Sequence, residues 1–191
     1  MIISDAHRFL FIHLIKTAGT SITAALKPFG KTHKEIGKGF GCHDDANELI
    51  ERMGRQTFDS YFSFATVRNP WDLQVSLYHY ILQNPKHHHH ATVSAFKDFP
   101  EYLDWRCSQG IKTQRSALYS GDEQLVDYIG RYENVAADFE AICEKVGLQA
   151  SLPRLNVSTS APYQSFYTQE MVDKLAPLVE PDIQQFGYSF D

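Results

Sequence analysis

Lys16, Thr17, Ala18, Gly19, Thr20 and Ser21 stand together in FIHLIKTAGTSI (residues 11–22), directly after an apolar run. A full positive charge, several hydroxyls and a glycine that admits close backbone approach are what an anion site needs. The order differs from the common phosphate loop G-x-x-x-x-G-K-[ST], because here the lysine precedes the glycine. A second set follows in FATVRNPWDLQVSLYHY (residues 64–80), with Arg68 at the end of an apolar stretch and Ser76 eight residues on. The pair reads as a second phosphate contact. Histidine suits proton transfer near neutral pH, and the chain has nine. His43, in GFGCHDDANELIERM, is the leading candidate base, with Asp44 or Asp45 placed by adjacency to orient it. His79 shares the Ser76 stripe and is a second candidate. His13 lies inside an apolar run, where a satisfied core histidine is the ordinary reading.

Particular elements must position these groups. FLFIHLI (9–15) reads as a buried strand and TSITAALK (20–27) as a short helix stopped by Pro28. Residues 29–43 read as a loop. A helix over about 45–53 carries Asp45 and Glu48 at capping-box spacing. YFSFATV (61–67) is a second strand, and Pro70 starts a helix to about Gln83 with Asn69 as its cap. At each strand-to-helix junction the first N–H groups lack partners within the helix, and the dipole adds positive potential. Arg68 falls at the carboxyl edge of the sheet, where ligands bind in such folds. Asn69, Asp72, Ser76, His79 and Gln83 form a polar stripe, whose usual meaning is a solvated face.

Further on, residues 94–108 hold one or two helices broken at Pro100, and VDYIGRYEN (126–134) is a third strand. Asn134 caps a helix to about Val146 that Gly147 ends. LPRLNVSTSAPYQSFY (152–167) reads as a long loop. A C-terminal helix starts at Thr168 and is interrupted near Pro177 and Pro181. Strands alternating with helices predict a three-layer α/β fold with a mostly parallel central sheet. The length of 191 residues fits a single domain over 1–191.

Composition narrows the function. Hydrophobic residues make up 43% and charged residues 21%, as in a folded globular chain. A net charge of −5 argues against a nucleic-acid partner while leaving room for a local basic pocket. Cys42, Cys107 and Cys143 are scattered and form no C-x-x-C, so neither a zinc site nor a disulfide framework is expected, and a reducing, cytoplasmic setting fits. The run 9–15 is too short to span a membrane, and no membrane partner is expected. His87–His90 reads as a solvated loop, since neighbouring histidines point apart on most backbones. No acidic cluster lies near the two anion motifs, so no metal is expected.

These motifs carry a resemblance. KTAGTS after a strand resembles the 5′-phosphosulfate loop of the sulfotransferases that use 3′-phosphoadenosine 5′-phosphosulfate (PAPS), and VRNPWDLQVSLYHY resembles their 3′-phosphate motif. IGRYENVAADFEAIC and LPRLN with FGYSF resemble the branch that includes carbohydrate sulfotransferases and small bacterial relatives. The similarity runs from about residue 9 to 190. It implies a P-loop nucleotide-kinase-like sulfotransferase fold with PAPS as sulfuryl donor. Lys16 would contact the phosphosulfate and steady the leaving phosphate. The backbone from Thr17 to Ser21, with the Thr20 and Ser21 hydroxyls, would hold the 5′-phosphate. Arg68 and Ser76 would bind the 3′-phosphate, and His43 would be the general base. The acceptor would be a hydroxyl on a sugar, glycan or small-molecule alcohol. Leu73 departs from the arginine that relatives often carry. Three other readings stay open: a P-loop nucleotide kinase, which would need G-K-[ST] and an acidic residue where Arg68 stands; a silent module that binds adenosine 3′,5′-bisphosphate (PAP); and an interaction domain built on Tyr163, Phe166 and Tyr167.

Overall fold

The computed structural model describes residues 1–153 and 161–191. The elements begin with β1 (Ile2–Ser4), β2 (Phe9–Ile12), α1 (Gly19–Leu26), β3 (Lys31–Thr32), α2 (His33–Ile36), α3 (Ala46–Met53) and α4 (Arg55–Phe58). Next come β4 (Phe62–Val67), α5 (Pro70–Gln83), α6 (His90–Ser94), α7 (Phe99–Ser108) and α8 (Gln114–Leu118). The hairpin β5 (Tyr119–Ser120) and β6 (Glu123–Gln124) precedes β7 (Tyr128–Arg131), α9 (Val135–Val146), α10 (Gln169–Leu175) and α11 (Glu180–Phe186). The described residues divide into two compact units, 1–68 with 116–153, and 69–115 with 161–191.

The first unit holds a five-stranded sheet in the order β3-β1-β2-β4-β7. β4 runs parallel to both β2 and β7, while β1 is antiparallel to β2 and β3. β3 therefore points the same way as the parallel set, and β1 alone is reversed. β1 and β3 are additions to the three strands legible in the sequence. Three and two residues are too few for a period to register, and β3 with α2 lies inside the segment read as a loop. The expected strands are shorter than their apolar runs: β2 stops at Ile12, and β7 ends in a 3-10 turn, Tyr132–Asn134.

The strands β1, β2 and β4 are buried on both faces, which is why β2 and β4 read as continuous apolar runs. Ile2, Phe11 and Phe64 sit in register across three strands. With Phe9 they pack on Ile22, Ala25 and Leu26 of α1 and on Phe139, Ile142 and Cys143 of α9. By strand alternation Ile3, Leu10, Ile12, Ala65 and Val67 face the other way, and none is more than 8% exposed. The expected capping box of α3 is present: Asp45 Oδ1 accepts from Glu48 N at 2.9 Å, and Glu48 Oε2 accepts from Asp45 N at 2.8 Å. α9 closes at Gly147 with φ 69°, a left-handed turn that glycine takes without a Cβ clash.

The second unit is helical. Asn69 Oδ1 accepts from Trp71 N at 3.0 Å, and Pro70 sits where no N–H is required. Trp71, Val75 and Ile81 of α5 share a core with Phe99, Tyr102 and Leu103 of α7 and with Met171, Val172 and Leu175 of α10. Pro100 was expected to break a helix. It lies instead in the first turn of α7, capped by Asp98. The expected cap of the C-terminal helix holds, with Thr168 Oγ1 accepting from Met171 N at 3.3 Å. Residues 154–160 of the expected long loop lie outside the described residues. The remainder includes a 3-10 turn, Tyr163–Phe166. Its aromatic neighbourhood packs inward: Tyr163 donates to Phe190 O at 2.7 Å and Tyr167 to Trp71 O at 2.9 Å. The histidine run is less solvated than expected. The His89 ring meets Trp105 at 5.1 Å, and His90 Nδ1 lies 2.9 Å from Ile81 O. Among the described residues no helix is long and apolar enough to cross a membrane.

Phe64 is fully buried in the central strand β4. Phe64→Ala is expected to lower unfolding stability by about 3–5 kcal/mol, measured by denaturant titration.

Candidate active site

β2 and β4 are parallel neighbours, so their carboxyl ends open on the same edge of the sheet. Between β2 and α1 the backbone turns sharply. Lys16 has φ 62° and Ala18 φ 67°, while Thr17 between them keeps negative φ. Alternation of this kind turns successive N–H groups toward one side, making an anion-binding concavity. Two left-handed non-glycine residues cost on the order of 1 kcal/mol or more each, and neighbouring bonds hold them in place. Thr17 Oγ1 donates to Leu14 O at 3.0 Å. Thr66, near the end of β4, donates from Oγ1 to Thr17 O at 2.6 Å. Arg68 Nη1 donates to Lys16 O at 3.0 Å. The Thr17 hydroxyl was expected to face the anion. It is fully buried and braces the loop instead. α1 has no side-chain cap at Ala18. Thr20 is exposed beside it, and Ser21 is buried.

Arg68 is only 3% exposed, and its guanidinium lies 3.8 Å above the Tyr132 ring. Burial, and then the charge of Arg68, push the Lys16 ammonium down to about 8. Two cations held together in a partly desolvated place favour an arriving anion. Ser76 lies on α5 in the second unit and is buried. The stripe that includes it is not the solvated face its spacing suggests. Asn69 is buried as well, and its amide donates to Ser189 O at 2.7 Å.

His43 is exposed in the segment before α3, between half-buried Cys42 and buried Asp44, with its Nδ1 2.8 Å from the carbonyl oxygen of His13. A carbonyl only accepts, so Nδ1 carries the proton, and the neutral ring presents Nε2 as its lone pair. The orienting group is thus the His13 carbonyl and neither neighbouring aspartate. Asp44 Oδ2 accepts from Gly41 N at 2.7 Å and pairs with Arg52 Nε at 3.2 Å, while Asp45 caps α3. Contact with the Cys42 thiol, more than the His13 carbonyl, raises His43 above the usual imidazole range, and burial opposes both.

The His13 ring stands 4.6 Å from that of His43. Burial, and then His43, push it down to about 3, so it is neutral. Its other neighbour is Gly19. A Cβ at that position would fall 1.8 Å from His13 Cδ2 and 1.9 Å from Nε2. Gly19 is therefore fixed by the histidine ring as well as by the loop. His13, read from the sequence as a satisfied core histidine, also touches both the His43 ring and the start of α1. Its signal was a lone polar side chain inside FLFIHLI. His79, the other candidate base, lies against Phe166 at 5.3 Å, with Nε2 buried and lacking a hydrogen-bond partner.

Two measurements follow from this geometry. Affinity for PAP should fall as pH rises through 8, because the free protein loses the Lys16 charge there while a bound anion favours it. Calorimetric titration should show this slope in the parent protein and a flatter one in Lys16→Met. Gly19→Ala should weaken PAP binding by about tenfold or more, because the Cβ displaces the His13 ring.

The sulfotransferase family model matches residues 1–189. An uncharacterized protein of Archaeoglobus fulgidus is 30% identical over 117 residues, covering 61% of this chain and 93% of that protein. The crystal structure of mouse sulfotransferase SULT7A1 complexed with PAP superposes with a TM-score of 0.61 at 12% identity. That match covers 95% of this chain and 86% of the mouse chain, and it shows a shared α/β fold with a mostly parallel central sheet flanked by helices. The chain belongs to the sulfotransferase family.

Proposed function

We propose that this protein transfers the sulfuryl group of PAPS to an acceptor hydroxyl, with His43 as base. One observation carries the reading: His13 links the base to the anion loop. Its carbonyl holds His43 Nδ1, and its ring lies on Gly19 at the start of α1. The loop fits an anionic donor. It combines left-handed backbone at Lys16 and Ala18, a helix start without a side-chain cap, and a lysine ammonium beside Arg68.

PAPS supplies the sulfuryl group and the leaving bisphosphate. The acceptor oxygen forms its bond to sulfur as the bond from sulfur to the 5′-phosphate oxygen breaks, and the hydroxyl proton passes to His43 Nε2. Lys16 steadies the charge that grows on the leaving phosphate. The N–H groups of residues 17–21, with the Thr20 and Ser21 hydroxyls, hold the 5′-phosphate. Arg68 and Ser76 are assigned to the 3′-phosphate on their match to the sequence motif. The mouse neighbour's PAP supports the nucleotide assignment. The acceptor is a sugar, glycan or small-molecule alcohol, in keeping with the carbohydrate-sulfotransferase branch that the sequence resembles. Three free thiols agree with a cytoplasmic setting.

The test is transfer from radiolabelled PAPS to a panel of sugars and alcohols, together with PAP and ATP titrations. His43→Ala should lower turnover by about 10²–10⁴-fold with PAP binding retained. Lys16→Ala should lower turnover by about 10²–10³-fold and weaken PAP binding as well. Full activity in either variant, or tighter binding of ATP than of PAP, overturns the reading.

A further inference from the structure

His13, Cys42 and His43 each present one donor atom, and the three atoms lie within 4.8 Å of one another. We propose that they form a binding site for a zinc-class divalent cation, and that an ion bound there silences the base. The second half rests on the function proposed above; the first does not. The inference departs from the sequence expectation of no metal. That expectation rested on local spacing, and these ligands come from a strand exit and a loop 29 residues downstream.

The geometry favours coordination. Cys42 Sγ is 3.8 Å from His13 Nδ1. A tetrahedral zinc with sulfur at about 2.3 Å and nitrogen at about 2.0–2.1 Å needs a sulfur–nitrogen edge of about 3.6 Å. His43 already has the support expected of a metal-binding histidine: Nδ1 donates to a backbone carbonyl, which fixes the ring and leaves Nε2 to coordinate. His13 turns its Nε2 edge to Gly19 and its Nδ1 to the thiol.

The segment that carries Cys42 and His43 is pinned around the donors. The α-amino group of Met1 donates to Cys42 O at 2.8 Å, and Gly41 N donates to Asp44, which Arg52 holds. His43 is exposed, which leaves an entry path and a fourth position for water. Two imidazoles and a thiol, with no carboxylate in the set, select zinc over magnesium or calcium. On binding, the thiol proton leaves to solvent and sulfur coordinates as thiolate. The Nε2 lone pair then belongs to the metal and accepts no proton from an acceptor hydroxyl.

Cobalt(II) serves as the probe, because a thiolate ligand gives it a charge-transfer absorption. Chelator-treated protein titrated with cobalt should develop this band at one equivalent, and zinc should displace it. Cys42→Ser should lose the band, and Cys107→Ser, in the other unit, should keep it. If Cys42→Ser fails to fold, His43→Gln at its exposed position gives the second reading, with cobalt bound about tenfold or more weakly. No band in the parent protein, a band that survives Cys42→Ser, or unchanged affinity in His43→Gln overturns the site. In the transfer assay, one equivalent of zinc should slow the parent protein and chelator should restore it. Cys42→Ser should run at its own zinc-free rate under the same conditions. Zinc that binds without slowing transfer overturns the silencing. Absence of transfer under all conditions counts against the proposed function and leaves the cobalt titration to decide the site.

Discussion

The hydrogen bond from Thr66 Oγ1 to Thr17 O is the contact on which the turn between β2 and α1 depends. A backbone with two left-handed non-glycine residues relaxes toward a helix or an extended strand unless something fixes it. Here the end of β4 fixes it from below: Thr66 holds the carbonyl of Thr17, and Arg68 holds that of Lys16. Both anchors are available only because β2 and β4 are adjacent and parallel, in a register that brings Ile12 beside Ala65. The sheet thus does more than carry two loops to one edge. It sets the backbone angles of the first loop through side chains at the end of the second strand.

Arg68 acts on this turn in two ways. Its guanidinium is mostly out of water, stacked on Tyr132 and bonded to the loop. Its charge also acts on Lys16, whose proton is held less tightly than in an isolated lysine. An arginine suits this position because it remains charged when desolvated and presents a planar fork that can bond a carbonyl while stacking on a ring. A lysine there would supply charge but neither the fork nor the stack.

Much of this was legible in the sequence, and the failures have physical causes. The long buried strands, the caps at Asp45, Asn69 and Thr168, and the glycine stop at Gly147 are local signals, and they hold. β1 and β3 exist through their pairing with partners and leave no periodic trace. Pro100 was read as a break, although proline is equally at home in a first turn, and the Asp98 cap decides between the two. In the site, residue types and order placed an anion motif on a strand-to-helix turn, and that turn is present. They did not reveal that Thr17 faces inward, or that the partner of His43 is a backbone carbonyl 30 residues away. Adjacency pointed to Asp44, but the fold uses that carboxylate to tie Gly41 to Arg52.

The contact between the His13 ring and Gly19 has an evolutionary consequence. A side chain at position 19 needs a smaller residue at 13, and a smaller residue at 13 leaves a void over the helix start. Neither half of the pair can drift alone without an intermediate that packs badly. The same histidine supplies the carbonyl that sets the tilt of His43. Variation at this junction therefore disturbs the start of α1 and the setting of the His43 ring in a single step.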